Sequence, residues 1–406
     1  MYTIGVILYM VFVYLVAPFH KKARQMVCGH WQTWKILHKK LKKGERYVWF
    51  HAASLGEFEQ GRPLMERLRR EHPEYKIVLT FFSPSGYEVR KNYDGADIVC
   101  YLPFDTAGNA LAFVHMLRPE MAFFIKYEFW LNYIRACKRH HIPVYSVCSI
   151  FQPNKIFFRW YGRGYAYVLS LITHFFVQDE QSRHMLATRG VEGNVTVVGD
   201  TRMDRVLDIC HAAKQLPLVE RFKDNRFVLV AGSSWTPDED LIITYFNRHP
   251  EMKLILAPHV ISESHLKQIE EKLHRPFLRY SEATDQNIAA ADCLIINCFG
   301  LLSSIYRYGE VAYVGGGFGV GIHNVPEAAV YGVPVLIGPN NRKFREAQDM
   351  MRLGGCIEIH SQEDFDATMQ RFASGTAALK RAGELNRDYI MGNAGATDKI
   401  FSFLKF

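Results

Sequence analysis

Two consecutive series of short apolar runs, each run separated from the next by a helical stretch, limit the folds open to this 406-residue chain. The first series contains predicted strands over residues 47–51, 76–81, 98–102, 121–125, 144–149, 174–177 and 195–198. The second contains predicted strands over residues 227–231, 253–257, 293–297, 311–314 and 333–337. Strands that alternate with helices form parallel sheets covered by helices on both faces. The sequence therefore predicts an α/β protein with two Rossmann-like domains, and the chain is long enough for each domain to have its own core.

Glycine is concentrated at one strand end of the second series. After the apolar run 311–314, four of the five residues 315–319 are glycine, which is typical of a strand that ends in a loop of unusual backbone conformation. A helix is predicted next, with Asn324 as its N-cap, Glu327 in the capping-box relation and Gly332 as its stop. Such a loop and helix start, at the carboxyl edge of a sheet, bind phosphate or carboxylate groups. The alternative stays open that the glycines serve packing only, that His323 bonds to loop backbone and that Glu327 only caps the helix.

The N-terminus is apolar and then basic. Residues 2–19 carry no charge, and as a helix they would reach about 27 Å, close to the hydrocarbon thickness of a bilayer. Residues 1–44 contain no Asp or Glu, yet they hold Lys21, Lys22, Arg24, Lys35, Lys39, Lys40, Lys42 and Lys43. We predict a membrane anchor over residues 1–19, with the basic flank and the body of the protein on the cytoplasmic side. The alternative is a buried core helix.

Residues 20–44 are predicted to lie on an anionic membrane surface. Trp31, Trp34, Leu37 or His38, and Leu41 recur at helical spacing while lysines occupy the rest, which indicates a basic amphipathic helix. A solvated helix that packs its tryptophans on the body is the alternative. Because the basic block adjoins an apolar segment, we expect a lipid partner and no nucleic acid. The eight cysteines form no C-x-x-C pair, so no metal site is predicted and a reducing compartment is indicated.

Candidate chemistry in the first series follows strand ends. Ser54 and Glu57 have the S-x-x-E spacing of a capping box, but a carboxylate on a strand-to-helix turn, with Gly56 allowing a substrate to come close, also suits a general base. Glu128 lies just past another strand end, where it is either a solvated loop residue or a carboxylate of the same site. A second strand-to-helix turn contains Ser83, Ser85 and Gly86, which turn chemistry alone would explain.

Taken together and in order, these segments resemble the 3-deoxy-D-manno-octulosonic acid (Kdo) transferases. Residues 51–57 match the family's H-A-x-S-x-G-E motif, Ser83 to Gly86 its S-x-x-G loop, residues 231–235 its A-G-S-[ST]-W motif, and His323, Asn324 and Glu327 its HN-x-x-E core. This family transfers Kdo from CMP-Kdo to a lipid A precursor, lipid IVA, at the cytoplasmic face of the bacterial inner membrane.

The resemblance implies a fold and a set of roles. It implies a GT-B arrangement, in which residues 45–205 form the acceptor-binding domain, residues 206–390 form the donor-binding domain facing it across a cleft, and residues 391–406 form a helix that crosses back to the first domain. Glu57 is expected to be the catalytic base, assisted by Glu128, without a metal or cofactor. The expected donor-binding residues are Gly232, Ser233, Ser234, His259, Gly315, Gly316, Gly317, His323, Asn324 and Glu327. The expected acceptor-binding residues are Ser54, Gly56, Ser83, Ser85, Gly86 and Arg202.

The sequence departs from the family pattern at three places. The Arg-x-Ser segment expected after Val147 is absent, and Lys155 or Arg159 is the candidate substitute. Arg202 stands where the family has lysine, and Pro258 stands where it often has arginine. Two other functions stay open: a GT-B transferase or epimerase that uses a UDP-sugar, and a non-catalytic membrane adaptor on the same scaffold.

Overall fold

A computed structural model describes residues 2–406. The chain divides into two compact units, and we describe each by itself. The first unit contains the residues up to Asp204 together with Gly395–Phe406, and the second is Arg205–Ala394.

The strands and helices follow one another in strict alternation over most of the chain. The strands are β1 (Arg46–Ala52), β2 (Tyr75–Phe81), β3 (Ile98–Tyr101), β4 (Met121–Ile125), β5 (Val144–Ser149), β6 (His174–Val177), β7 (Val195–Val197), β8 (Phe227–Ser234), β9 (Met252–Pro258), β10 (Phe277–Arg279), β11 (Cys293–Ile295), β12 (Val311–Val314), β13 (Val335–Ile337) and β14 (Cys356–Glu358). The helices are α1 (Tyr2–Val16), α2 (Lys21–Lys40), α3 (Leu55–Glu71), α4 (Pro84–Arg90), α5 (Ala107–Leu117), α6 (Leu131–Arg139), α7 (Arg163–Ala166), α8 (Glu180–Ala187), α9 (Thr201–His211), α10 (Pro217–Lys223), α11 (Thr236–Arg248), α12 (Glu263–Lys272), α13 (Leu302–Ile305), α14 (Val325–Ala329), α15 (Arg345–Leu353), α16 (Gln362–Ser374), α17 (Thr376–Asn393) and α18 (Ala396–Phe403).

Each unit is built on one seven-stranded sheet. The first sheet has the order β3-β2-β1-β4-β5-β6-β7, and the second has the order β10-β11-β9-β8-β12-β13-β14. All the paired strands run parallel. In each order the chain starts near the middle and winds outward in both directions, which places a change of direction beside the first strand, where α/β proteins bind ligands.

Strand β1 shows why both faces of the first sheet are apolar. Trp49 packs on one face with side chains of α5 and α6, while Val48 and Phe50 pack on the other face with α3. Because successive side chains of a strand point to opposite faces, a strand covered on both sides reads as a continuous apolar run. The final helix, α18, places Ile400 and Phe401 in that second cluster, so it belongs to the first unit.

The N-terminal helices differ from the sequence prediction. Helix α1 ends at Val16, and within residues 2–406 no single helix is long and apolar enough to cross a membrane; α1 and α2, bent by 117° at the break between them, reach that length and composition only as a pair. Ile4, Leu8, Phe12 and Leu15 on α1 are each more than 60% exposed.

Helix α2 packs on the first unit through a different face from the predicted one. Its buried residues are Met26, Gly29, His30, Thr33 and Leu37, and the Thr33 hydroxyl donates to the carbonyl of Tyr101 on β3 at 2.8 Å. Leu37, one of the two candidates for its position in the predicted membrane-facing stripe, is fully buried in the core, whereas the other candidate, His38, is exposed. Trp31 stays 65% exposed.

Candidate active site

Three strand ends of the first unit meet at one edge of its sheet. Strand β1 lies between β2 and β4, so the turns that follow these three strands are neighbours. The Ser83 amide donates to the Ala53 carbonyl at 2.9 Å, and a Cβ on Gly86 would come within 3.1 Å of the Ser54 carbonyl carbon. The close approach that Gly86 allows therefore brings the predicted Ser54–Glu57 and Ser83–Gly86 turns together. The Ser83 and Ser85 hydroxyls are 2.7 Å apart.

Glu57 is in the first turn of α3, with its carboxylate turned away from the helix backbone. Ser54 occupies the N-cap position, but its side chain caps no amide and its hydroxyl donates to Glu57 Oε2 instead. Glu57 Oε1 lies 3.5 Å from Lys126 Nζ, and the side chain keeps 16% of its surface exposed. The capping-box alternative for this motif is therefore wrong. The carboxylate faces a lysine and solvent at a helix N-terminus, where a negative charge is favoured.

Lys126 is a residue of this site that we did not predict. It follows β4 directly and has a φ of 59°, a left-handed conformation that side chains other than glycine adopt at a cost of about 1–3 kcal/mol. Its amide donates to Val147 O at 2.7 Å, and its carbonyl accepts from the buried hydroxyls of Ser146, at 3.1 Å, and Ser149. These bonds hold the backbone so that the ammonium group reaches Glu57. The only signal in the sequence is a basic residue one position past a strand end.

Glu128 lies two residues further along the same turn. Burial and the nearby Glu57 carboxylate raise the pKa of Glu128, while Lys126 and Lys155 oppose that shift. Glu128 and Lys155 line a cavity of about 260 Å³ together with Tyr127 and Trp130. The site thus combines two carboxylates and two lysines.

Lys155, one of the two candidate substitutes for the absent Arg-x-Ser segment, lies at this edge of the sheet. Its ammonium group donates to the Tyr127 hydroxyl at 2.7 Å and lies 4.0 Å from the centre of that ring. Arg159 is exposed and contacts the Asn154 carbonyl at 3.5 Å. The sequence named both residues but could not choose between them, because the choice depends on how the segment after β5 turns.

His51 holds the turn after β4 against β1. The Trp130 indole N–H donates to His51 Nε2 at 2.9 Å, so the proton of the neutral ring is on Nδ1, which donates to Thr80 Oγ1 at 3.0 Å. Thr80 also accepts from Trp49 Nε1 at 2.8 Å and donates to Phe50 O at 3.3 Å. Burial lowers the pKa of His51 to about 3, so the ring is neutral in this network. Trp130 is thereby fixed two residues from Glu128.

Arg202 is engaged by a buried carboxylate. Its guanidinium donates to Asp200 Oδ2 at 2.7 and 3.0 Å, and Gln60 and Gln178 donate to the same carboxylate. Although burial alone would raise it, the Arg202 guanidinium holds the pKa of Asp200 below its usual range. The arginine expected to bind the acceptor is thus tied to Asp200, at the start of α9.

In the second unit, the glycine-rich loop after β12 is packed against the protein. The Gly315 amide donates to Gly232 O and the Gly316 amide to Asp238 Oδ2, each at 2.9 Å. A Cβ on Gly317 would lie 2.5 Å from Gly338 Cα. The glycines therefore meet a packing requirement, and the amides of Gly315 and Gly316 are not free to bind a ligand as the sequence suggested.

Helix α14 is shorter than predicted and is capped differently. It spans only Val325–Ala329, and the Asn324 side chain caps no amide. Instead, Asn324 Nδ2 donates to Glu327 Oε1 at 2.7 Å. The predicted capping box at this position was wrong, and a helix of five residues has a small dipole.

Three rings meet at the carboxyl edge of the second sheet, where β9, β8 and β12 are neighbours. Trp235 stacks on His259 with ring centres 4.6 Å apart, and His259 lies 4.6 Å from His323. The Trp235 indole donates to His323 Nε2 at 3.3 Å. Burial, and then the neighbouring His259, lower the pKa of His323. Two predicted donor-binding residues, His259 and His323, are thus brought together with Trp235.

The last three residues of β8 divide between core and surface. Gly232 is packed against Tyr306, and Ser234 is fully buried with its hydroxyl donating to Glu239 Oε1 at 3.0 Å. Ser233 has a φ of 53° and is half-buried. Of these three predicted donor-binding residues, Ser233 is the one with an accessible side chain.

The segment after β13 lies on the glycine-rich loop. The Asn340 amide donates to Gly317 O at 2.8 Å and its side chain donates to Gly319 O at 2.7 Å. Arg342 and Lys343 follow and are exposed. The sequence analysis did not single out this basic pair, although it is visible directly after a strand. Within residues 2–406, no group of three or more His, Cys, Asp or Glu side chains is arranged to hold a metal ion.

Comparison with known proteins agrees with the motifs. Residues 29–205 match the family model described as 3-deoxy-D-manno-octulosonic-acid transferase. A 3-deoxy-D-manno-octulosonic acid transferase of Aquifex aeolicus is 28% identical over 350 residues, which cover 84% of this chain and 90% of the relative. The transferase of the same name from Haemophilus influenzae is 24% identical over 373 residues, covering 88% and 86%.

Solved structures support the fold class. A UDP-GlcNAc 2-epimerase from Neisseria meningitidis, bound to UDP-GlcNAc, has a TM-score of 0.59 at 13% identity and covers 88% of this chain and 98% of its own. MurG from Acinetobacter baumannii has a TM-score of 0.54 at 10% identity, with the same coverage. At these identities the likeness shows the fold alone, and it confirms the predicted GT-B class of two Rossmann-like domains. The family's model over residues 29–205 and relatives that cover most of the chain show that this protein is similar to the Kdo transferases.

Proposed function

We propose that this protein transfers Kdo from CMP-Kdo to the lipid A precursor lipid IVA, at the cytoplasmic face of the bacterial inner membrane. The observation that carries the proposal is the Glu57 carboxylate, which is held by Ser54 and Lys126 at the carboxyl edge of the first sheet and keeps an exposed surface. A general base must be ionised and must reach the hydroxyl that it activates. The Glu57 carboxylate lies 3.5 Å from the Lys126 ammonium group and keeps 16% of its side chain exposed, which supports this role.

The reaction follows from that placement. The acceptor hydroxyl gives its proton to Glu57 while its oxygen attacks the anomeric carbon of Kdo. The bond between that carbon and the CMP phosphate oxygen breaks, CMP departs with the electron pair, and the configuration inverts. Lys126 keeps the Glu57 carboxylate in place before the proton transfer. Glu128, whose pKa is raised by burial and by Glu57, assists by orienting the acceptor.

The donor is assigned to the second unit. Trp235, His259 and His323 offer a ring surface, and we assign the cytidine ribose to Glu327 and the phosphate to the loop of residues 315–324. Because α14 is short and two loop amides are already bonded, we assign charge stabilisation of the departing CMP to Arg342 and Lys343. They take the place of the family arginine that Pro258 replaces. No metal ion has a role in this proposal.

The test is a transfer assay with purified protein, CMP-Kdo and tetraacylated lipid A precursor, read by mass spectrometry of the lipid. We expect Glu57→Gln to lower turnover by roughly 10²-fold to 10⁴-fold, since that is the usual contribution of a general base. Glu66→Gln is the matched control, because Glu66 is on the same helix and pairs with Arg62 at its surface. Full turnover in Glu57→Gln would refute the role of Glu57.

Two further arms test the other parts of the proposal. A donor panel that includes UDP-GlcNAc separates a Kdo transferase from an enzyme that uses UDP-sugars, and we expect only CMP-Kdo to be consumed. The same assay in EDTA is expected to retain activity. Consumption of UDP-GlcNAc, or loss of activity in EDTA that magnesium restores, would contradict the proposal.

A further inference from the structure

An apolar cavity lies between α1 and the turns of the candidate active site. It has a volume of about 410 Å³ and is lined by Gly5, Val6, Tyr9, Phe82, Phe104 and Trp130, with Tyr2 and Asp105 closing one end. Phe82 directly precedes Ser83, and Trp130 follows Glu128 by two residues. The cavity therefore adjoins the site at which the acceptor is activated.

Helix α1 bridges the cavity from two supports. At one end the Tyr2 hydroxyl donates to Asp105 Oδ2 at 2.5 Å, and Tyr2 stacks on Tyr165 with ring centres 5.2 Å apart. Further along, Val13 packs with Phe104 in a small buried cluster. Between these two contacts, Gly5 and Val6 line the side of the cavity that α1 forms.

The charged group at the cavity is already satisfied. Asp105 accepts from Tyr2 and from the amides of Asn132 and Tyr133, both at 3.1 Å, so it caps the start of α6. Apart from the Tyr9 hydroxyl, the polar side-chain groups of this lining already have hydrogen-bond partners. An alkyl chain needs none, because its binding depends on the apolar area removed from water.

We propose that this cavity binds one acyl chain of the lipid acceptor, an inference that rests on the proposed function and assigns part of its substrate to named residues. The outer side of α1 carries exposed apolar residues such as Ile4, Leu8 and Phe12, which suits contact with lipid. A chain held beneath α1 passes from that lipid side to the turn that carries Glu128. The head group of the same molecule then lies beside Glu57.

Gly5 is what leaves the cavity open. Glycine is the poorest helix former apart from proline, and nothing lies within 4 Å of a Cβ placed on Gly5. Because Gly5 lines the cavity and no protein atom would contact a Cβ there, a larger side chain has room at this position without displacing the protein. This makes Gly5→Leu a substitution that fills the proposed site while leaving its walls in place.

The kinetic test compares two acceptors, the tetraacylated lipid A precursor and its fully deacylated form, from which the ester-linked and the amide-linked chains have both been removed. The measured quantity is kcat/KM for the tetraacylated acceptor divided by kcat/KM for the deacylated one. If the leucine side chain of Gly5→Leu displaces two or three methylene groups of the bound acyl chain, the transfer free energy per methylene predicts that this ratio falls by roughly fifteenfold to sixtyfold. Gly108→Leu is the matched control, because Gly108 is also helical and also has nothing within 4 Å of a Cβ, but it does not line the cavity. An unchanged ratio in Gly5→Leu would overturn the proposal.

A binding test makes this inference separable from Kdo transfer. A bromine-labelled dodecyl phosphate quenches tryptophan on contact, so we expect it to quench Trp130, and we expect Trp130→Phe and Gly5→Leu each to remove that part of the quenching. Quenching that Gly5→Leu leaves intact would overturn the cavity assignment, whatever the transfer assay shows. Quenching by brominated phospholipid vesicles, combined with an unchanged acceptor ratio, would assign the cavity to bulk lipid and would also overturn it. Absence of transfer in the unsubstituted protein, with the quenching as expected, would refute the proposed function alone.

Discussion

Because His51 is buried as a neutral ring, we predict that the first unit loses stability in mild acid. Its pKa is about 3 in the folded protein against 6.5 as the ordinary value, because burial disfavours the imidazolium. Between these two values the unfolded chain binds a proton that the folded chain does not, so the stability present above pH 6.5 is lost as the pH falls toward 3. From pH 7.5 to 5.5 this single group lowers the free energy of unfolding by about 1.4 kcal/mol.

His51→Gln isolates this effect. An amide oxygen can still accept from the Trp130 indole, while the group that titrates is gone. At pH 7.5 we expect the variant to be less stable by about 1 kcal/mol, since one hydrogen bond of the network is lost. Between pH 7.5 and 5.5, however, it should lose about 1.4 kcal/mol less than the unsubstituted protein does.

Urea denaturation followed by tryptophan fluorescence measures this difference. Five of the six tryptophans, all except Trp235, lie in the first unit, so the signal reports mainly on that unit. His140→Gln, which removes an exposed histidine at the end of α6, controls for the loss of an imidazole as such. If His51→Gln and the unsubstituted protein lose equal stability between the two pH values, His51 is not a buried neutral ring and the tautomer argument fails.

Two other substitutions test the sites directly. Lys126→Met removes an ammonium group that opposes the rise in the pKa of Glu128, so that pKa should rise further. We therefore expect the acid limb of the pH–rate profile to move to higher pH. A profile that stays in place or moves to lower pH would contradict the placement of Lys126 beside the two carboxylates. Gly317→Ala places a methyl group 2.5 Å from Gly338 Cα and should lower the free energy of unfolding of the second unit by about 1–3 kcal/mol, whereas Gly319→Ala, with nothing within 4 Å, should change it little. Calorimetry of both variants measures this, and equal stabilities would show that the loop relaxes freely.

The sheets were predictable from local patterns, but the site was predictable only in part. Strand β1 was predicted over residues 47–51 and spans Arg46–Ala52, because a strand buried on both faces gives a continuous apolar signal. The order of the strands in the sheet cannot be predicted from the local pattern of any one segment. That order places β1 between β2 and β4, and it is the reason that the turns carrying Glu57, Ser83 and Glu128 meet.

Lys126 shows why the rest could not be predicted. Its left-handed backbone is held by Val147, Ser146 and Ser149, which come from the neighbouring strand β5. Nothing next to Lys126 in the sequence indicates that conformation, since local rules favour glycine or asparagine there. The buried face of α2 could not be predicted for a similar reason. Its tryptophan stripe and its buried face overlap at Leu37, and only packing against β3 decides which face is covered.

Neither of the two motifs with capping-box spacing forms a capping box, and both depart from it in the same way. In both units the side chain at the N-cap donates to the glutamate three residues later, Ser54 to Glu57 and Asn324 to Glu327, instead of bonding to the helix backbone. A glutamate in a capping box turns back toward the N-cap amide, whereas a glutamate held by the N-cap side chain is kept away from that amide. The spacing is therefore the same as in a cap, but the N-cap side chain contacts the glutamate and not the helix backbone. For Glu57, this contact accompanies a carboxylate that lies 3.5 Å from Lys126 Nζ and keeps 16% of its side chain exposed.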